Sequence, residues 1–216
     1  MTNPRLSYQT VEFGKIDIHL CTLRDKQEFY DPEGIAEKLG IGSAIWPLFG
    51  IIWPSSLVLA HFINDYEIDS KRILEVGCGM ALSSLLLNKQ GADITATDYH
   101  PEVNKFLQRN ALLNEDKPIT FERSDWATKN DTLGLYDLII GSDLLYEDNH
   151  IELLANFLEA HAKPTCEVII VDPGRGRKNK LSSRMVEFGF TSSQQKPTHT
   201  DYLDQEFKGY ILKFER

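Results

Sequence analysis

The spacing of apolar positions changes along the chain, and each change marks an element. Residues 5–24 alternate apolar and polar side chains through Val11, Phe13, Ile16, Ile18 and Leu20, with Gly14 between the two halves. That period of two predicts a β-hairpin or strand-like arm. Residues 25–45 are polar with scattered glycine and proline, which predicts a loop with a short helix around 34–39. The next stretch holds two Trp-Pro steps, Trp46-Pro47 and Trp53-Pro54, with Phe49 between them. Pro54 followed by Ser55 and Ser56 suits a helix start, and Leu57, Ala60 and Ile63 continue one apolar face. Trp46, Phe49 and Trp53 are expected to pack the arm onto the core.

The clearest pattern runs from 72 to 100. Ile73, Leu74 and Val76 form a short apolar run that ends at Gly77 and Gly79. Helical spacing follows through Leu82, Leu85, Leu86 and Leu87, Gly91 closes it, and a second β-rich run over 93–97 stops at Asp98. This predicts a βαβ unit with parallel strands and a right-handed crossover. Beyond it, a helix over 101–114 buries Val103, Phe106, Leu107 and Ala111. A strand at 119–122 leads into Ser124-Asp125-Trp126. A strand from Tyr136 is apolar throughout, as in the middle of a parallel sheet, and its end carries Ser142, Asp143 and, three residues on, Tyr146. A helix over 149–161, with Asp148 as its cap, precedes a strand at 166–171 that runs into Asp172-Pro173-Gly174-Arg175. A last helix over 181–188 stops at Gly189. Strands at 190–195 and 207–214, joined by a polar loop, end the pattern.

Charge and composition narrow the function classes. The net charge of −9 argues against tracking along nucleic acid, which needs a basic face. No apolar run reads as long enough to span a membrane, and the first residues lack the apolar core of a signal peptide. The three cysteines, Cys21, Cys78 and Cys166, are scattered and read as reduced thiols of a cytoplasmic protein. The histidines show no pair at metal-ligand spacing, so no metal is expected. Arg175, Arg177, Lys178 and Lys180 form a concentrated basic patch, either solvated or an anchor for an acidic partner surface. The length fits one domain over 46–216 with an N-terminal arm over 1–45.

Two cofactor classes suit the βαβ unit. A dinucleotide fingerprint needs a third glycine, and that position is Leu82. Glu75-x-Gly77-x-Gly79 with a distal Asp98 suits S-adenosylmethionine (AdoMet) instead. A carboxylate at Asp98 can accept both ribose hydroxyls, and small residues at 77 and 79 let backbone approach the ligand. The bland alternative is a glycine turn joining two core elements. At the third strand's end, Asp125 would accept the adenine amino group and Trp126 would cover the ring; otherwise Asp125 caps a turn. The N-P-P-Y-like segment expected of an adenine-methylating enzyme is missing from 142–146.

These motifs resemble the class I, seven-strand AdoMet-dependent methyltransferases. Within them, the chain is similar to the family-16 protein lysine methyltransferases through Ile52-Trp53-Pro54-Ser55-Ser56, Ser142-Asp143-Leu144-Leu145-Tyr146 and Val171-Asp172-Pro173-Gly174-Arg175. The last two are most similar to lysine methyltransferases of electron transfer flavoprotein β-subunit, and the Trp-Pro segment also looks like one in ribosomal protein L11 methyltransferases. Ser55-Ser56 stands where many relatives carry two glycines. The resemblance implies a three-layer Rossmann-like α/β fold with a seven-stranded, mostly parallel sheet and a C-terminal antiparallel hairpin. It implies that Glu75, Gly77, Cys78 and Gly79 hold the methionine end of AdoMet, that Asp98 with Tyr99 takes the ribose, and that Asp125 and Trp126 flank the adenine. Trp53 would pack over the cofactor, with Ser142 and Asp143 also lining it. Asp143 and Tyr146 would face the methyl group and an incoming lysine of a protein substrate. Other readings are a small-molecule amine methyltransferase and a non-catalytic AdoMet-binding module.

Overall fold

The computed structural model describes residues 3–128, 132–146 and 148–216. Seven strands form one sheet: β3 (Arg72–Val76), β4 (Asp93–Asp98), β5 (Thr120–Arg123), β6 (Tyr136–Ser142), β7 (Ala162–Asp172), β8 (Thr191–Gln195) and β9 (Tyr210–Glu215). Their spatial order is β5-β4-β3-β6-β7-β9-β8. The pairs from β5 across to β7 are parallel, and β9 is antiparallel to both β7 and β8. Chain order runs outward in one direction from β3 to β5, then in the other from β6 to β7. The topological switch therefore lies between β3 and β6, where ligands of such sheets bind beyond the carboxyl ends of the strands.

Period-two alternation builds three layers. Ile73, Leu138, Ile140, Ile169 and Val171 face one side, where they share a core with Ala36 of the short expected helix α1 (Ile35–Lys38) and the apolar stripes of α2 (Pro54–Asn64), α3 (Leu82–Lys89) and α4 (Val103–Leu113). Leu74, Val76, Ile139, Val168 and Ile170 face the other, against α5 (Asp148–His161) and α6 (Lys178–Glu187). Strands buried on both faces carry nearly unbroken apolar runs for this reason. Strand β7 follows α5 directly and starts earlier than expected, with a register irregularity between Tyr136 and Leu138 of its partner.

The expected N-terminal hairpin is β1 (Leu6–Phe13) and β2 (Ile16–Leu23), a separate antiparallel pair. It is not a free arm. Phe13, Ile18, Leu20 and Leu23 share the core of α2–α4. Its outer edge is also capped: the Asn110 amide accepts from the Cys21 N–H at 2.8 Å and donates to the Cys21 carbonyl at 3.3 Å. Asn114 does the same for His19, at 2.8 and 2.7 Å. Two side-chain amides one helical turn apart thus replace a neighbouring strand.

One sequence expectation is corrected. The 19 residues Trp46–Asn64 are long and apolar enough to cross a membrane by length and composition, with mean hydropathy 1.5 and half of the window buried in the fold. The stretch is a short 3-10 turn, Trp46–Gly50, then extended residues, then α2, with Pro54 at the helix start. Its apolarity is that of a core element.

Candidate functional site at the carboxyl edge of the sheet

The turn after β3 is shaped by two glycines in the left-handed region, Gly77 at φ 61° and Gly79 at φ 51°. A Cβ at Gly77 would lie 2.5 Å from Leu144 Cδ2, and one at Gly79 would lie 3.2 Å from the Phe49 carbonyl oxygen. The loop is therefore wedged between the segment after β6 and the Trp-Pro segment, and only glycine fits both conformation and space. Cys78 donates its N–H to the Thr97 carbonyl at 2.9 Å, which pins the loop to the end of β4. Burial raises its thiol well above the ordinary range, so Cys78 packs as a small apolar group.

Asp98 ends β4 beside this turn. One carboxylate oxygen accepts the Gly79 N–H at 2.8 Å and the other accepts the His100 N–H at 2.8 Å. Burial raises its pKa, and these backbone donors pull it back down. Tyr99 turns away and donates its hydroxyl to the Leu39 carbonyl at 2.8 Å. Glu75, expected to help hold the methionine end of AdoMet, is engaged within the fold. It lies on the Ile73 side of β3 and is buried, and its Oε2 accepts both the N–H and the hydroxyl of Ser84 in the first turn of α3. Burial pushes its pKa up to about 7, helped by the Asp98 charge and opposed by Ser84.

The aromatic residues border the same turn. Trp126 Cζ2 would stand 3.9 Å from a Cβ at Gly77. Asp125 is exposed, and its Oδ1 accepts the Ala127 N–H at 2.9 Å, the turn-capping role weighed from sequence. Trp53 caps α2 and donates its indole N–H to the Leu48 carbonyl at 2.9 Å, next to the Phe49 carbonyl that abuts Gly79. Lys26 lies 4.3 Å over its ring.

On the other side of the switch point, half-buried Ser142 ends β6, and Asp143 follows at φ 56°, a left-handed conformation aspartate tolerates. Its N–H donates to the Val171 carbonyl at 2.8 Å. Asp143 is 5% exposed, and Arg175 Nη2 stands 2.7 Å from its Oδ1. Among the described residues that oxygen nevertheless receives no aligned N–H, so the guanidinium acts as a charge more than a directed donor. Burial raises the Asp143 pKa, the Arg175 charge lowers it, and the buried Asp172 carboxylate raises it again. Arg175 also lies 4.5 Å from the Tyr146 ring centroid, a cation–π contact. Burial, then the Asp143 charge, pushes the Tyr146 hydroxyl up to about 12.

Sequence reasoning grouped Arg175 with a surface patch. In the structure each of the four cations has a partner within the chain, and Arg175 turns to Asp143. Arg177 and Lys180 both pair with Asp148, at 2.9 and 2.5 Å. Lys178 reaches Gln194 and lies 4.0 Å over the Tyr210 ring. The signal for Arg175 was present in Asp-Pro-Gly-Arg, because that turn leaves the strand neighbouring β6.

A glycine turn with a carboxylate held by backbone N–H groups on one side, and a buried carboxylate with a half-exposed tyrosine on the other, suit a cofactor and an acceptor meeting at one edge. Comparison with known proteins agrees. Residues 37–186 match the model of a family described as lysine methyltransferase. Protein N-lysine methyltransferase METTL21A of Danio rerio is 30% identical over 53% of this chain and 57% of its own length. Electron transfer flavoprotein beta subunit lysine methyltransferase of Danio rerio is 29% identical over 61% of this chain and 52% of its own. The matches thus span little more than half the length of these relatives. A ribosomal protein L11 methylase from Lactobacillus delbrueckii subsp. bulgaricus superposes with a TM-score of 0.64 over 97% of this chain and 99% of its own, at 18% identity.

Proposed function

Because the chain belongs to the lysine methyltransferase family, we propose that it transfers a methyl group from AdoMet to a lysine side-chain nitrogen of a protein. The observation that carries this reading is the meeting of two unlike halves at the switch point: Gly77, Gly79 and Asp98 on one side, Asp143 and Tyr146 on the other. The residues present fit the cofactor. A Cβ at 77 or 79 would close the turn, and the Asp98 oxygens suit a vicinal diol, which phosphate-binding turns do not require. Gly77, Cys78 and Gly79 would receive the methionine end, Asp98 the ribose hydroxyls, and Trp126 the adenine face. Trp53 and Ser142 would border it.

When bound, AdoMet supplies a methyl group already activated by its sulfonium. Alignment then supplies much of the rate. Free lysine titrates near ~10.4, so about one in a few thousand is neutral at pH 7. Asp143, at a half-dry edge, accepts a hydrogen bond from the amine, aims its lone pair and assists loss of the proton. The Tyr146 ring holds the amine while it is still cationic, by cation–π contact worth roughly 0.5–2 kcal/mol. Electron transfer flavoprotein β-subunit is the first protein to try, on the name of a matching relative. A cytoplasmic location belongs to the proposal, supported by three buried free thiols.

The test is incubation with methyl-labelled AdoMet and a soluble extract of the host, with Asp143→Ala as control. The expected result is labelled protein whose label lies on lysine and vanishes in the control. Label confined to small molecules overturns the protein-substrate reading.

A further inference from the structure

Arg175 reaches the acceptor side of the edge from the turn after β7, whereas Asp143 and Tyr146 follow β6. Its guanidinium touches both groups assigned to the acceptor, with Nη2 2.7 Å from Asp143 Oδ1 and the cation 4.5 Å from the Tyr146 ring. A lysine ammonium entering the site needs those same two contacts. Three features make the occupancy exchangeable. The Asp143 oxygen is buried yet lacks an aligned donor, so the pair forgoes the geometry that makes arginine–carboxylate contacts strong. Arg175 is flanked by Gly174 at φ 99° and Gly176 at φ 82°, and a Cβ at 176 would meet nothing within 4 Å. Finally, one buried Asp172 oxygen also lacks a hydrogen-bond partner among the described residues, and the Arg175 charge acts on both carboxylates, with Lys178 acting on Asp172 as well.

We propose that Arg175 is an internal placeholder for the acceptor: in the free chain its guanidinium fills the cation seat made by Asp143 and Tyr146, and an incoming cationic side chain binds by displacing it. The inference rests on the function proposed above. The exchange keeps a buried carboxylate paired throughout, since an unpaired one costs several kcal/mol. It also favours acceptors that arrive charged, because a neutral group cannot repay the lost pairing with Arg175. The placeholder lowers apparent affinity by the fraction of time the seat is free. A seat filled nine-tenths of the time corresponds to about a tenfold loss.

The probes are S-adenosylhomocysteine, which ends at a neutral sulfur, and sinefungin, which carries an amine where AdoMet carries its methylated sulfonium. Their dissociation constants are measured by calorimetry at pH 8, and their ratio reads the cation seat alone. Arg175→Gln is expected to raise the preference for sinefungin about tenfold, Arg175→Lys to keep it near wild type, and Asp143→Asn in the Arg175→Gln background to remove the gain. A second readout uses wild-type protein with 15N-labelled arginine. The Arg175 Nε–H, assigned by its loss in Arg175→Lys, is expected to exchange faster with water when sinefungin binds and to stay unchanged with S-adenosylhomocysteine. An unchanged or reduced sinefungin preference in Arg175→Gln, or an Arg175 signal indifferent to sinefungin, overturns the placeholder while leaving the AdoMet reading intact. Binding of neither probe to wild type overturns the proposed function, and the placeholder falls with it.

Discussion

The two halves of the sheet edge hold their carboxylates in different ways. On the β3–β4 side, Asp98 is held by two backbone N–H groups, from Gly79 and His100. On the β6–β7 side, Asp143 is held by the side chain of Arg175, on a turn with a glycine at either flank. Backbone donors are fixed by the fold and cannot leave, whereas a side chain can rotate away. The first half is thus preorganised for a ligand of constant shape. The second presents a charge that can change partners, which suits an acceptor that must arrive, react and depart.

This contrast predicts an ordered set of effects. The largest is expected at Asp143. Asp143→Asn should lower turnover at least ~100-fold, the usual scale for a lost general base, with AdoMet affinity within about threefold of wild type. Asp98→Asn should do the reverse. Losing charge-assisted bonds to the ribose is worth roughly 1.5–3 kcal/mol, about 10- to 100-fold in AdoMet affinity by calorimetry. Equal losses of affinity in both variants would erase the distinction between the halves.

The next effect concerns pH and the preorganised half. Glu75 titrates at about 7 in the fold, above its ordinary 4.5. Within that window the unfolded chain has released the proton and the folded chain has kept it. Stability therefore falls as pH rises, by about 1.4 kcal/mol per unit. Burial lowers His100 from 6.5 to about 4, so across that window the unfolded chain holds the extra proton and stability rises with pH. Where the two windows overlap, the slopes from these two groups oppose each other. Glu75→Gln should expose the rise, and His100→Phe should expose the fall. A Tm that tracks pH identically in wild type and both variants would refute these assignments. The smallest effect is at Tyr146: Tyr146→Leu removes the ring contact, worth roughly 0.5–2 kcal/mol, and should raise the protein-substrate KM by about two- to thirtyfold with AdoMet affinity retained.

Much of this edge was legible because apolar strands end abruptly in polar residues. Asp143 follows an apolar run that has to be buried, and Asp98 ends a β-rich run in which Ile94 and Ala96 alternate with threonines, so both fall at the carboxyl end of a strand. Direction was harder. Glu75 shares the Ile73 face of β3, and alternation along the strand would have turned it towards α3 and Ser84. Arg175 was grouped with its neighbours in sequence, whereas in space it meets Asp143 and Tyr146 while Arg177 and Lys180 share Asp148. The hairpin's attachment was invisible for another reason. Asn110 and Asn114 look like ordinary helix-surface polar residues until a strand edge lies against them. Trp46–Asn64 passes a membrane criterion because composition does not record that Pro54 and the extended residues before it divide the stretch.

The most direct test of the two-sided edge is a crystal structure of the wild-type chain with sinefungin. The account predicts ribose hydroxyls on Asp98, the ligand amine within hydrogen-bond distance of Asp143, and Arg175 withdrawn from Tyr146. A ribose bound away from Asp98, or an amine turned away from an Asp143–Arg175 pair still in place, would contradict it.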